Sequence, residues 1–71
     1  MKTLKMLGTI KWYKDNKGYG YIVGADEETY YFESLDCIME YDSLLTDDVV
    51  KFIPHIGDFE YATEVEKEEK R

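Results

Sequence analysis

Apolar and polar residues alternate along five short stretches of this chain, the period of strands whose two faces meet different surroundings. The first runs from Lys5 to Lys14 and the second from Gly18 to Val23; the turn-prone Asp15-Asn16 between them predicts a hairpin. A polar turn, Gly24-Ala25-Asp26-Glu27-Glu28, leads into a third strand from Thr29 to Glu33. Alternation there turns Tyr30 and Phe32 inward and Tyr31 and Glu33 outward. Ser34 to Asp47 is the least regular stretch, and its Ile38, Leu44 and Leu45 are expected to cap the bottom of the core. Val49 to Ile53 is the most β-rich run and is expected to end at Pro54, which has no amide hydrogen to give a ladder. Gly57-Asp58 then turns the chain into a fifth strand, Phe59 to Val65, with Phe59, Tyr61 and Val65 on one side, read as inward although alternation alone does not fix which side that is. Residues 66–71 carry no apolar side chain and read as a frayed, solvated end.

Five short strands and few helical signals predict an all-β fold, a small closed five-stranded antiparallel barrel. At 71 residues the chain holds one domain, expected over 1–71 with its core at about 5–65, and buries only a limited fraction of its surface. No apolar run approaches the roughly 18 residues of a membrane span, and no membrane partner is expected. Met1 to Leu7 lacks the apolar stretch and cleavage site of a signal peptide, so a cytoplasmic location is expected. One cysteine, Cys37, makes no internal bridge, and with one histidine, His55, it makes no zinc site. Asp47-Asp48 lacks a calcium loop, and no glycine loop for nucleotide phosphates is present. No enzyme activity, metal or cofactor is expected.

The stretch with the strongest chemical character is Lys17-Gly18-Tyr19-Gly20-Tyr21-Ile22. Alternation puts Tyr19 and Tyr21 on one face, as a flat aromatic platform, with the glycines and Ile22 on the other. Paired tyrosines also fit an ordinary half-buried pleat, so the two rings alone do not separate packing from binding. Their surroundings carry more, since Lys11-Trp12-Tyr13-Lys14 lies upstream and Tyr30-Tyr31-Phe32 downstream. Interleaved lysines and rings suit a single nucleic-acid strand, because every base has a π-face that stacks on an aromatic side chain. The net charge of −7 points the other way until it is divided along the chain: residues 1–24 carry five lysines against Asp15, or +4, and residues 25–71 carry 4 basic and 15 acidic groups, or −11.

These motifs together resemble the cold-shock domain family. Lys11-Trp12-Tyr13 is similar to the family's Lys-Trp-Phe segment, Lys17 to Ile22 to its Lys-Gly-Phe-Gly-Phe-Ile segment, and Tyr30 to Glu33 to its Val-Phe-Val-His segment. Leu44, Val50 and Phe52 match a further segment in which Asp47 replaces a glycine, and the resemblance runs from about Leu7 to Val65. It implies an oligonucleotide-binding (OB) barrel that binds single-stranded RNA or DNA by stacking on Trp12, Tyr19, Tyr21 and Tyr31, with Lys11 and Lys17 near phosphates. A role as RNA chaperone or cold-shock-type regulator follows from it. Ile10 and Trp12 have the same parity, so Trp12 reaches the binding face only if the strand bulges or bends near Lys11. Tyr13 is assigned to neither face. Tyr41 matches the family's loop aromatic that closes over the bound strand, and equally suits a loop tyrosine anchored in solvent. Glu33 stands where the family has histidine, a departure expected to weaken binding. Together with the acidic second half, it keeps open an alternative: an OB barrel that has turned to a protein partner.

Overall fold

A computed structural model describes residues 4–14, 16–38 and 44–68. Five strands form, β1 (Met6–Lys14), β2 (Tyr19–Gly24), β3 (Thr29–Glu33), β4 (Val49–His55) and β5 (Tyr61–Lys67). A 3-10 turn at Ser34–Asp36 follows β3, and there is no α-helix among the described residues. The strands close into a barrel in the order β1-β2-β3-β5-β4, with β4 pairing back onto β1.

The barrel is not wholly antiparallel as expected: β3 and β5 run parallel, paired through Tyr31 and Tyr61. The reason is topological. Strand direction cannot alternate all the way round a closed ring with an odd number of members, so one neighbouring pair must run the same way. Here that pair is also the one with the fewest ladder bonds, and the Tyr31 amide donates to the Glu60 carbonyl at 3.2 Å.

Ile10, Ile22, Tyr30, Phe32, Leu44, Val50, Phe52, Ala62 and Val65 are buried together as the core, with Met6, Tyr13 and Cys37 packed against it. Two irregularities decide which residues reach it. In β1 the register slips between Ile10 and Trp12: Ile10 pairs with Ile22, but Trp12 pairs with Tyr21. Lys11 is the extra residue, so Ile10 stays inside and Trp12 swings out, the bulge needed for Trp12 to reach the face that the resemblance implies for it. Tyr13 then falls inward and stacks on Phe32, ring centres 5.4 Å apart. In β5 the slip lies opposite Lys51–Ile53, where Glu64 adopts a left-handed φ of 52°. That bulge brings both Ala62 and Val65 inward although they are three residues apart.

Phe59 and Tyr61, expected inside, are outside, 60% and 37% exposed: the slip turns Tyr61 out, and Phe59 lies in the bend before β5, which begins at Tyr61 and not at Phe59 as expected. Ile38 and Leu45 are also exposed rather than capping the core, leaving Leu44 of that trio buried. β4 continues through Pro54 to His55, past its expected end. Its pairing with β1 reaches only Phe52, so at Pro54 one side of the strand has no ladder to supply. Residues 66–68, expected frayed, continue β5 and its pairing: Lys67 lies opposite Val50, and the Glu68 amide donates to the Val49 carbonyl at 2.8 Å. Lys5 ties the same strand down, its ammonium 2.9 Å from a Glu66 carboxylate oxygen and 2.9 Å from the Glu64 carbonyl.

Candidate functional site

The two irregular strands and the parallel pair line up one row of rings across the barrel. Trp12 is the cross-strand partner of Tyr21, Tyr21 of Tyr31, Tyr31 of Tyr61, and Tyr61 of His55, so an aromatic residue from each strand lies in register. All five are at least partly exposed. Tyr19 sits one step along β2, between Lys14 and Glu33 in the neighbouring row. Four of the residues expected at a site, Trp12, Tyr19, Tyr21 and Tyr31, are thus brought into one patch. Ring centres are 5.5 Å apart for Trp12–Tyr19, 5.2 Å for Trp12–Tyr21, 6.0 Å for Tyr19–Tyr31 and 5.6 Å for Tyr21–Tyr31.

The platform is faceted rather than flat. Trp12 meets Tyr19 and Tyr21 at 74° and 67°, and Tyr21 meets Tyr31 at 65°. Edge-to-face contact is what the ring quadrupoles favour, and it turns the rings to different angles instead of laying them in one sheet.

Glycine allows this arrangement at two points. A Cβ on Gly20 would run into the carbonyl oxygen of Trp12 and come within 2.9 Å of the Tyr13 Cα, so only a bare backbone lets β1 and β2 approach behind the rings. Gly18 takes φ +79° in the turn before β2, where its amide donates to the Lys14 carbonyl at 2.7 Å. Its own carbonyl accepts from the Ser34 amide at 2.9 Å, which pins this turn to the end of β3.

Lys11 and Lys17 are exposed beside the patch, Lys11 on the bulge and Lys17 in the turn. The Lys14 ammonium lies 5.6 Å from the Trp12 ring centre, a cation–π contact. Among the described residues none of these three lysines is in an ion pair, whereas Lys5, Lys51 and Lys67 are held by Glu66, Glu68 and Asp48. Glu33 is exposed on the same face as expected, and its carboxylate accepts a 2.8 Å bond from the Tyr31 hydroxyl. That bond favours the neutral phenol and pushes Tyr31 up to about 12. Tyr41 lies outside the described residues.

Sequence reasoning missed Phe59, Glu60, Tyr61 and His55 as surface chemistry. Tyr61 stacks face to face on His55 with centres 4.6 Å apart, and Phe59 tilts over Tyr61 at 5.6 Å. A groove of about 550 Å³ opens between Phe59 and Glu60 on one side and Tyr21, Thr29 and Tyr31 on the other. Simple alternation concealed these residues, and the clustering of His55, Phe59 and Tyr61 about a Gly-Asp turn was the available signal.

Away from the patch, Cys37 is half-buried, and burial pushes its thiol up to about 11, far from the thiolate a nucleophile needs. The His55 ring shares a 2.8 Å hydrogen bond with the Thr63 hydroxyl. Among the described residues no three His, Cys, Asp or Glu side chains gather in a way that could hold a metal ion.

The fold and site define an all-β five-stranded barrel with an exposed aromatic face. No family model matches the chain, and no curated protein is significantly similar to it.

Proposed function

We propose that this protein binds single-stranded RNA or DNA on the outer face of β1–β3, as an OB barrel of the cold-shock kind. The observation that carries the reading is the patch of Trp12, Tyr19, Tyr21 and Tyr31, in mutual contact on one sheet face beside Lys11, Lys14 and Lys17. A core needs no such patch, because the four rings pack on one another outside the buried cluster. Bases stack on the open ring faces, and the lysines lie near phosphates. Stacking accepts any base, so the function is to hold strands unpaired, as an RNA chaperone does, with modest sequence preference.

The test is Tyr19→Ala, measured both for binding to a short single-stranded oligonucleotide and for thermal unfolding. One base–ring stack is worth about 1–3 kcal/mol, so affinity falls about tenfold or more while the melting temperature stays near the parent's. Loss of the fold instead would make the ring a packing residue and remove the main support for binding.

A protein partner is the second reading, and Glu33 favours it. This carboxylate on the aromatic face, with the −11 balance beyond Gly24, suits a cationic peptide better than a phosphate chain. Binding of a lysine-rich peptide, with no response to any oligonucleotide at low salt, would establish it over the first.

A further inference from the structure

We infer that the groove between the β4–β5 connection and β3 is a base-reading subsite that selects guanine, one step along the strand from the stacking patch. The inference rests on the proposed single-strand binding and adds to it a pocket, a residue that reads and a preferred base.

Three observations point to it. The groove shares Tyr21 and Tyr31 with the patch, so a strand leaving the rings of β1–β3 enters it without crossing bare surface. Its volume of about 550 Å³ lies in the range of about 300–1,000 Å³ of clefts that take small ligands. Its outer wall is Phe59, a phenylalanine 60% exposed at the rim of a groove whose far wall is also aromatic. A flat ring entering there finds aromatic side chains on both walls. The position of Phe59 is set by the backbone rather than by loop chance: the Tyr31 amide bonds the Glu60 carbonyl, and Phe59 rests on Tyr61, which stacks on His55.

Glu60 supplies the selection. It is half-buried and lines the groove between Phe59 and Tyr61. A carboxylate accepts hydrogen bonds and donates none, and it repels a phosphate, so within a strand it can take base N–H groups and, in RNA, the 2′-hydroxyl, which every ribonucleotide carries and which therefore selects no base. Guanine offers two adjacent donors, N1–H and the 2-amino group, which match the two oxygens of one carboxylate. Adenine and cytosine place one amino donor beside an acceptor nitrogen, and uracil and thymine place one imino donor between two carbonyl oxygens. The order expected is therefore guanine first, adenine and cytosine next, uracil or thymine last. In an unstacked strand that edge is free to be read.

The experiment is a titration of Trp12 fluorescence with hexanucleotides, all-uridine or carrying one central guanosine, with thymidine-based deoxy counterparts as a second arm to separate RNA from DNA. A bidentate contact to one base tightens binding of the guanine-bearing strand about tenfold. Glu60→Gln abolishes the guanine advantage but leaves the all-uridine strand bound at least as tightly, since a negative charge is gone. Phe59→Ala, at an exposed position that leaves the fold intact, weakens the guanine-bearing strand about tenfold. Equal affinity for both strands in the parent, or an undiminished guanine advantage in Glu60→Gln, overturns the inference while single-strand binding stands. No binding of any hexamer overturns both.

Discussion

Glu33 shows how much one side chain on the aromatic face can change. Two like charges about 6 Å apart repel by about 0.7 kcal/mol in bulk water and about 2–3 kcal/mol at the lower dielectric of a protein surface, a cost comparable to one stacked base. The hydroxyl of Tyr31 holds this carboxylate in place at 2.8 Å. Glu33→Gln is expected to strengthen oligonucleotide binding at low salt by about threefold to about a hundredfold, the two dielectric limits, and Glu33→His more, by adding a ring that stacks. Both also return Tyr31 from about 12 toward its ordinary value near 10, a shift readable by NMR without any ligand. Unchanged affinity in both variants would put Glu33 away from the strand. Tyr30 is the buried counterpart: its hydroxyl bonds Asp26 at 2.6 Å, which with burial pushes it up to about 12. A tyrosine whose pKa is higher folded than unfolded lends stability that is whole below about pH 10 and is lost between about pH 10 and 12, where only the unfolded chain has released its proton. The melting temperature should fall across that window, and more steeply in the parent than in Tyr30→Phe; an equal fall in both would mean that this hydrogen bond contributes little.

At the scale of elements, two bulges decide what the barrel shows to solvent. The bulge at Lys11 was legible only with the resemblance, which implies Trp12 on the surface while parity puts it on the same face as the core residue Ile10. The bulge at Glu64 was not, since the run Phe59 to Val65 alternates as well with one face inward as with the other. The exposure of Tyr61 followed from that hidden slip, while Phe59 and Glu60, which line the groove, lie in the connection before β5. The core assignments of Tyr30 and Phe32 were readable from alternation; of Ile38, Leu44 and Leu45, expected together as a cap, Leu44 is buried and the other two are exposed, because an irregular stretch has no period to read. Gly20 couples the two strands that carry the patch. Gly20→Ala would drive a methyl into the backbone of Trp12 and Tyr13, and is expected to destabilise the fold by about 1–3 kcal/mol, seen as a lower urea midpoint. A midpoint equal to the parent's would mean that β1 and β2 are free to move apart there.

Over the whole molecule, charge and rings are separated in a way the net charge of −7 hides. Lys5, Lys51 and Lys67 are spent on ion pairs with Glu66, Glu68 and Asp48, so the cations beside the rings are those of β1 and the following turn. A strand bound there sees a local positive field on an acidic body, which makes the ionic strength the most direct probe of how it is held. The decisive measurement is a titration of Trp12 fluorescence with a short single-stranded oligonucleotide at a series of salt concentrations. Contacts from Lys11, Lys14 and Lys17 predict quenching at low salt and a slope of about −2 in log affinity against log salt, from about −0.7 for each phosphate neutralised on a single strand. Absence of quenching at low salt, or an affinity indifferent to salt, would contradict single-strand binding by this face.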